Sequence, residues 1–315
     1  MSGTGMNVAV VGAGAVGCYY GFLLARAGHT VTLIGRPALV AAVRSDGLVL
    51  ESSDGTARVP VRATVDGDGV AGADLVLVCV KSGDTEAAGA MIAPHLGRSA
   101  TILSLQNGVD NAERLAAVLE RPVVPVAVYV ATAMAGPGRV RHNGRGDLIV
   151  GASETSARIA AALSAAGAPT TVSARALDAL WGKLIMNCAY NALSALTQLP
   201  YGRLVQGEGV VAAMTDVVGE CTAVAAAAGV SVPADILDRV LGLSVTMAGQ
   251  RSSTAQDLAR GRPSEIDHLS GAVVEVGERV RVPTPVNRRI VDLVHRIEAT
   301  GAFLPPDEAG RRLLG

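Results

Sequence analysis

The chain has 315 residues, half of them hydrophobic and 17% charged, with 37 glycines. At about 150 residues per domain this length accommodates two folded domains, and the aliphatic content excludes a disordered, low-complexity or collagen-like chain. Lys plus Arg (27) nearly balances Asp plus Glu (28), and a net charge of -1 lacks the basic excess of a nucleic-acid or anionic-membrane binder.

The opening MSGTGMN has no basic start, apolar run or small-residue cleavage site, so residues 1–5 are expected to form a loose tail and the protein to be cytoplasmic. Apolar stretches around Val8, Leu75 and Ala226 are interrupted before the about 20 residues that cross a bilayer, and no transmembrane helix is predicted. Cys18, Cys79, Cys188 and Cys221 have neither metal nor redox spacing and read as reduced small hydrophobes. His29, His95, His142, His268 and His295 are scattered, so no metal site is expected.

From residue 6 to about residue 170, short β-branched runs alternate with helical patterns, the signature of a mostly parallel sheet covered on both faces. NVAVVG, TVTLIG, ADLVLVCV, ATILSLQ and VVPVAVYV are the predicted strands; a helix over about 15–27, ended by Gly28, joins the first two into a βαβ unit. The turn glycines of GPGRVRHNGRGDLIVG predict a hairpin of two short strands that closes the sheet. After Val172 the strand signals stop, and 3.6-residue periodicity predicts helices over 177–199, 207–228, 234–241, 264–280 and 286–299. The predicted fold is α/β over 6–172, followed by a helical domain over 173–315, with no linker between them and a ligand cleft expected where they meet.

The first strand runs into GAGAVG, where Gly12, Ala13, Gly14, Ala15, Val16 and Gly17 give G-x-G-x-x-G spacing at the start of the first helix. Gly12 suits the tight turn, Gly14 admits a pyrophosphate close to the backbone, Gly17 lets helix and strand pack closely, and the helix N-terminus favours an anion. NAD enzymes place an acidic residue after the second strand, but this chain reads VTLIGRP. Arg36 there matches a 2′-phosphate, which favours NADP(H); the competing reading is a solvated loop arginine. Lys81 in VCVKSGD and Asn107 in SLQNGVD follow two further strands, where such folds bind ligands. Lys81 suits the adenosine phosphate and Asn107 the nicotinamide or ribose, against plainer readings as an exposed lysine and a helix cap.

In WGKLIMNCAYNALSAL, Lys183, Asn187 and Asn191 recur every four residues, which puts them on one stripe of a helix otherwise lined by Leu184, Ile185, Cys188, Leu193 and Leu196. A polar ligand and a solvated helix face both satisfy that pattern. QRSSTAQDLARGRPSEIDHLSG offers Ser253 and Glu265, although charges around Pro263 and Ser264 also fit a capped helix start. With no nucleophile elbow, P-loop or metal motif, hydride transfer is the chemistry best supported.

Taken together, GAGAVG with GRP, VKS, LQNG, K-x-x-x-N-x-x-x-N and SS-T-x-QD with SEID resemble the ketopantoate reductase family over almost the whole chain, from Met6 to about Glu298. The resemblance implies a Rossmann domain followed by an all-helical domain like the C-terminal one of 6-phosphogluconate dehydrogenase. It implies NADPH-dependent reduction of 2-dehydropantoate to pantoate, in pantothenate biosynthesis. Lys183 then resembles the proton donor, Asn187 and Asn191 substrate-positioning amides, and Ser253 the carboxylate-binding hydroxyl. Glu265 resembles a catalytic group that also contacts the cofactor ribose; Asn107 resembles the nicotinamide-side ligand, and Arg36 with Lys81 the 2′-phosphate contacts. Tyr201 in LPYGRL and Gln250 with Arg251 stand where the family often has Asn, so both are carried as substrate-pocket residues that bear on substrate identity. The rival readings are a reductase of another 2-oxo or β-keto substrate and a non-catalytic NADP(H) sensor. The expected partner is a small keto compound, with no nucleic acid or membrane, and a homodimer is left open.

Overall fold

A computed structural model describes residues 5–315, so the expected N-terminal tail lies, apart from Gly5, outside the described residues. The chain divides into two compact units, one ending at Leu177 and the other beginning at Asp178. The first runs β1 (Asn7–Val11), α1 (Ala15–Arg26), β2 (Thr30–Ile34), α2 (Pro37–Asp46), β3 (Leu48–Ser52), β4 (Gly55–Val59), β5 (Arg62–Thr64), β6 (Leu75–Val78), α3 (Thr85–Ile92), β7 (Thr101–Ser104), α4 (Asn111–Leu119), β8 (Val124–Gly136), β9 (Arg139–Gly151), α5 (Ser156–Ala165) and β10 (Thr170–Ser173).

The strands form one sheet in the order β4-β3-β9-β8-β7-β6-β1-β2-β5, with β10 also on β9. From β8 to β5 neighbouring strands are parallel. Side chains alternate across a strand, and the apolar runs of β1, β6 and β7 therefore feed two cores. Val8, Val10, Leu75, Leu77 and Leu103 join Tyr20, Phe22 and Leu24 of α1, whereas Ala9, Val11, Val76, Val78 and Ile102 join Ala88, Ile92 and Leu115 of α3 and α4. Burial on both faces is why these strands read as unbroken apolar runs.

All five predicted strands are present, but the hairpin differs from expectation. Instead of two short strands within 136–151, β9 is one 13-residue strand, antiparallel to β8. Gly144 (φ +135°), Arg145 (φ +57°) and Gly146 (φ +154°) do not end it. They sit near register shifts of the β8–β9 pair, where bulges absorb residues that elsewhere would make a turn. The β3–β4 hairpin, β5 and β10 are additions that short length and exposed residues hid in the sequence.

The remaining elements are α6 (Ala176–Thr197), α7 (Tyr201–Leu204), α8 (Val210–Ala227), α9 (Ile236–Thr246), α10 (Ser253–Leu258), α11 (Ser270–Val280), α12 (Pro285–Thr300) and α13 (Pro306–Leu314). The helix expected over 264–280 is broken: a 3-10 turn spans Ile266–His268, and Leu269 (φ -112°, ψ -97°) is far from helical before α11 begins. Among the described helices, α8 has the length and mean hydropathy of a bilayer span, which the sequence reading did not anticipate. Here it serves as a core helix, with Met214, Val217, Cys221 and Val224 buried and α11, α12 and α13 packed on it.

One charged side chain on α8 organises its neighbour. Glu220 accepts hydrogen bonds from Val286 N (2.7 Å), Asn287 N (2.9 Å) and Asn287 Nδ2 (2.8 Å), capping the N-terminus of α12 with a carboxylate. Glu220→Ala leaves these donors unpaired and is expected to cost about 2 kcal/mol of stability. Urea unfolding checks this; an unchanged midpoint would contradict it.

Candidate functional site

In the first unit the site starts where β1 ends. Gly12 N and Ala13 N both donate to Ile34 O (3.0 Å), which fastens the turn to the end of β2. Gly12 has φ +90°, and a Cβ there would stand 2.6 Å from Val80 N; one on Gly17 would stand 2.6 Å from Gly12 O. Gly14, the residue preceding α1, is exposed, and a Cβ on it would meet nothing within 4 Å. The first turn of α1 has no acidic side chain, so its backbone N–H groups and positive dipole end face an open approach. This cradle fits a dinucleotide pyrophosphate.

Arg36 leaves β2 beside the same turn. It is exposed at the N-cap of α2, just after Gly35, where a Cβ would lie 3.0 Å from Ala13 Cβ. Lys81, exposed, and Asn107, half-buried, follow the carboxyl ends of the adjacent parallel strands β6 and β7. Between them lies a buried polar cluster that sequence reasoning missed. Ser82 Oγ donates to Asn107 O (3.0 Å), Asn111 Nδ2 donates to Ser82 Oγ (3.1 Å) and to Asn107 O, and Gln106 Nε2 donates to Thr85 Oγ1 (2.7 Å). Buried polar atoms need such partners; Ser82 and Thr85 are fully buried, and Asn111 is 3% exposed.

In the second unit, Lys183, Asn187 and Asn191 lie along α6 as expected. The stripe is not a fully solvated face: Lys183 and Asn187 are half-buried and Asn191 is 4% exposed. Asn191 Nδ2 lies 3.5 Å from Ser253 Oγ, so the structure brings these two predicted residues together. Ser252 makes that pairing and was not foreseen. Its N–H donates to Ser194 Oγ (3.3 Å), its hydroxyl donates to Asn191 O (3.1 Å), and the same oxygen caps α10 by accepting from Ala255 N (3.0 Å). A serine just before a short helix is the available sequence signal.

Gln250 O accepts from Tyr201 N (2.9 Å), which ties the loop before α10 to α7. Tyr201 itself is buried, its ring 4.2 Å from that of Tyr190, and burial pushes its phenol up to about 12. Glu265 is half-buried at the start of the 3-10 turn, not within a helix, and Ser264 Oγ caps that turn by accepting from Ile266 N (3.2 Å). Among the described residues no cluster of three or more His, Cys, Asp or Glu forms a metal site.

Both units are matched by known proteins. The family described as ketopantoate reductase PanE/ApbA matches residues 8–155, and its C-terminal counterpart matches residues 175–298. The chain is 39% identical to a 2-dehydropantoate 2-reductase of Halobacterium salinarum over 94% of this chain and 100% of that one. It is 55% identical to a PanE/ApbA family ketopantoate reductase from Ralstonia eutropha, whose crystal structure superposes with a TM-score of 0.91 over 93% of this chain and 99% of that one. The fold is also that of D-mandelate dehydrogenase, solved as a ternary structure with NADH and anilino(oxo)acetate (TM-score 0.86, 23% identity, 94% and 99% covered).

The cysteines are all free thiols, and those near the glycine turn are poorly placed for reaction. Burial pushes Cys18 up to about 12 and Cys79 higher, while a hydrogen bond with Cys188 and burial raise Cys221. Because the thiolate is the nucleophile, iodoacetamide at about pH 8 is expected to leave Cys18, Cys79 and Cys221 unmodified in the folded protein and to modify them in urea. Peptide mapping reads the outcome; alkylation of Cys18 or Cys79 in the folded state would contradict it.

Proposed function

The chain belongs to the ketopantoate reductase family, and from that membership we propose that it reduces 2-dehydropantoate to pantoate with NADPH in the cytoplasm. As a member it is an oxidoreductase acting on a C=O/CH–OH pair. The observation that carries the reading is the partly buried polar stripe of α6, a lysine and two amides set into an apolar helix with Ser253 Oγ 3.5 Å from the Asn191 amide.

When bound, NADPH supplies the hydride for the keto carbon. Lys183 Nζ donates the proton to the keto oxygen, and its charge stabilises that oxygen as it becomes an alkoxide. Asn187 and Asn191 orient the substrate through their amides, and Ser253 Oγ binds its carboxylate. Gly12, Ala13, Gly14, Ala15, Val16 and Gly17 would hold the pyrophosphate, and Arg36 with Lys81 the 2′-phosphate, in keeping with the absence of an acidic residue directly after β2. Asn107 would serve as the nicotinamide-side ligand, and Glu265 would contact the ribose and help to orient the site.

A second reading keeps this chemistry but takes a different 2-oxo or β-keto acid. Tyr201 and Gln250 favour it: Tyr201 stacks on Tyr190, which stands between Asn187 and Asn191 in sequence, and the Gln250 loop is fixed to α7. Pocket walls change substrate preference more readily than reaction type. Loss of NADPH absorbance with 2-dehydropantoate and a panel of other keto acids decides between the two, and failure to turn over any of them would overturn both.

Lys183→Ala is expected to lower kcat by about 100- to 10,000-fold, the usual worth of a positioned acid, with NADPH affinity changed by less than about twofold. Unchanged kcat would refute the proton-donor role. Arg36→Ala is expected to weaken NADPH by about tenfold and NADH by less than about twofold, since a charge-assisted bidentate contact is worth about 1.5–3 kcal/mol. Equal losses for the two cofactors, read by fluorescence titration, would refute its phosphate role.

A further inference from the structure

The loops that carry Lys81 and Asn107 emerge from neighbouring strands, and their separation is set by side chains. Backbone pairing of β6 and β7 carries on to Leu105 N, which donates to Val78 O (2.8 Å). Beyond it, Asn111 Nδ2, Ser82 Oγ and Asn107 O form a closed triangle: the amide donates to both oxygens, and the serine hydroxyl donates to Asn107 O (3.0 Å). The other end of the amide is occupied too. Asn111 Oδ1 lies 2.9 Å from Thr85 Oγ1 and accepts from Arg114 Nη1 (3.3 Å), so the side chain has one favourable orientation. Ser82, Thr85 and Asn111 are almost wholly shielded from water, and a satisfied buried network of this kind fixes a single geometry.

We propose that Asn111 is a positioning residue for the cofactor: its amide ties the segment after β6, with Lys81, to the segment after β7, with Asn107, and so sets the distance between the adenosine-phosphate and nicotinamide-side contacts. This rests on the cofactor reading given above. Asn111 touches no reacting atom; it acts on Asn107 through the backbone carbonyl and on Lys81 through the adjoining Ser82.

Asn111→Asp isolates this role. The carboxylate is the same size and keeps acceptors for Thr85 and Arg114, but it cannot donate to Asn107 O, which it would face as a second acceptor. Binding is measured by fluorescence titration with NADPH and by competition with adenosine 2′,5′-bisphosphate, which reaches only the phosphate side, alongside thermal unfolding. The expected result is a rise of about tenfold in the NADPH Kd with less than about twofold for the bisphosphate. Ser82→Ala, which keeps the Asn111–Asn107 bond, should show the same pattern at about threefold, and the double variant should lose less than the product of the two, as expected of partners in one network. Unchanged NADPH affinity in Asn111→Asp, or equal weakening of both ligands, would overturn the proposal; should Asn111→Asp not fold, the same ratio in Ser82→Ala decides. If the unaltered protein binds the bisphosphate and NADPH equally poorly, the cofactor reading itself fails.

Discussion

The first unit is organised around a backbone crossing too close for any side chain. With Gly12 at φ +90° and room for a Cβ neither there nor at Gly17, the end of β1 lies against the exit of β6 and the start of α1 lies against the turn. That proximity has two consequences. It presents the first turn of α1, without an acidic side chain, at an open approach, and it draws the segment carrying Lys81 toward the same place. Ile34 O, accepting from two successive N–H groups of the turn, extends the arrangement to β2 and hence to Arg36. A single steric requirement thus sets the start of a helix beside the segments that carry Arg36 and Lys81.

Around that crossing and again in the second unit, the structure uses satisfied buried polar groups to hold otherwise irregular chain. Asn111 and Ser82 do so between two strand exits, and Ser252 does so between α6 and α10. The residues proposed to meet ligands are mostly less buried than the residues that hold them: Lys81 and Ser253 are exposed, whereas their neighbours Ser82 and Ser252 are not. Rigid support behind an accessible group is what positioning of a reactive centre requires.

Elements with strong periodicity were legible in the sequence. β1, β6 and β7 read as apolar runs because both faces of their central residues are buried, and α6 shows its polar stripe because its spacing of four survives intact in a long helix. The 139–151 strand was misread because Gly144 and Gly146 carry turn chemistry, and only pairing with β8 shows that they are accommodated as bulges. The 264–280 segment was misread because nothing in its periodicity reports the backbone break at Leu269. Among site residues, glycines and charged groups announce themselves by type and spacing. Ser82, Asn111 and Ser252 do not, because a hydroxyl or amide that joins segments 25 or 61 residues apart leaves no local pattern.

The account depends most on the claim that a keto acid accepts hydride from a nicotinamide cofactor in this protein. The direct measurement is a turnover with 2-dehydropantoate and NADPH deuterated at both C4 positions of the nicotinamide, with mass analysis of the product. The account predicts pantoate carrying one deuterium at the former keto carbon. Pantoate without deuterium, or no conversion of any keto acid despite bound NADPH, would contradict it.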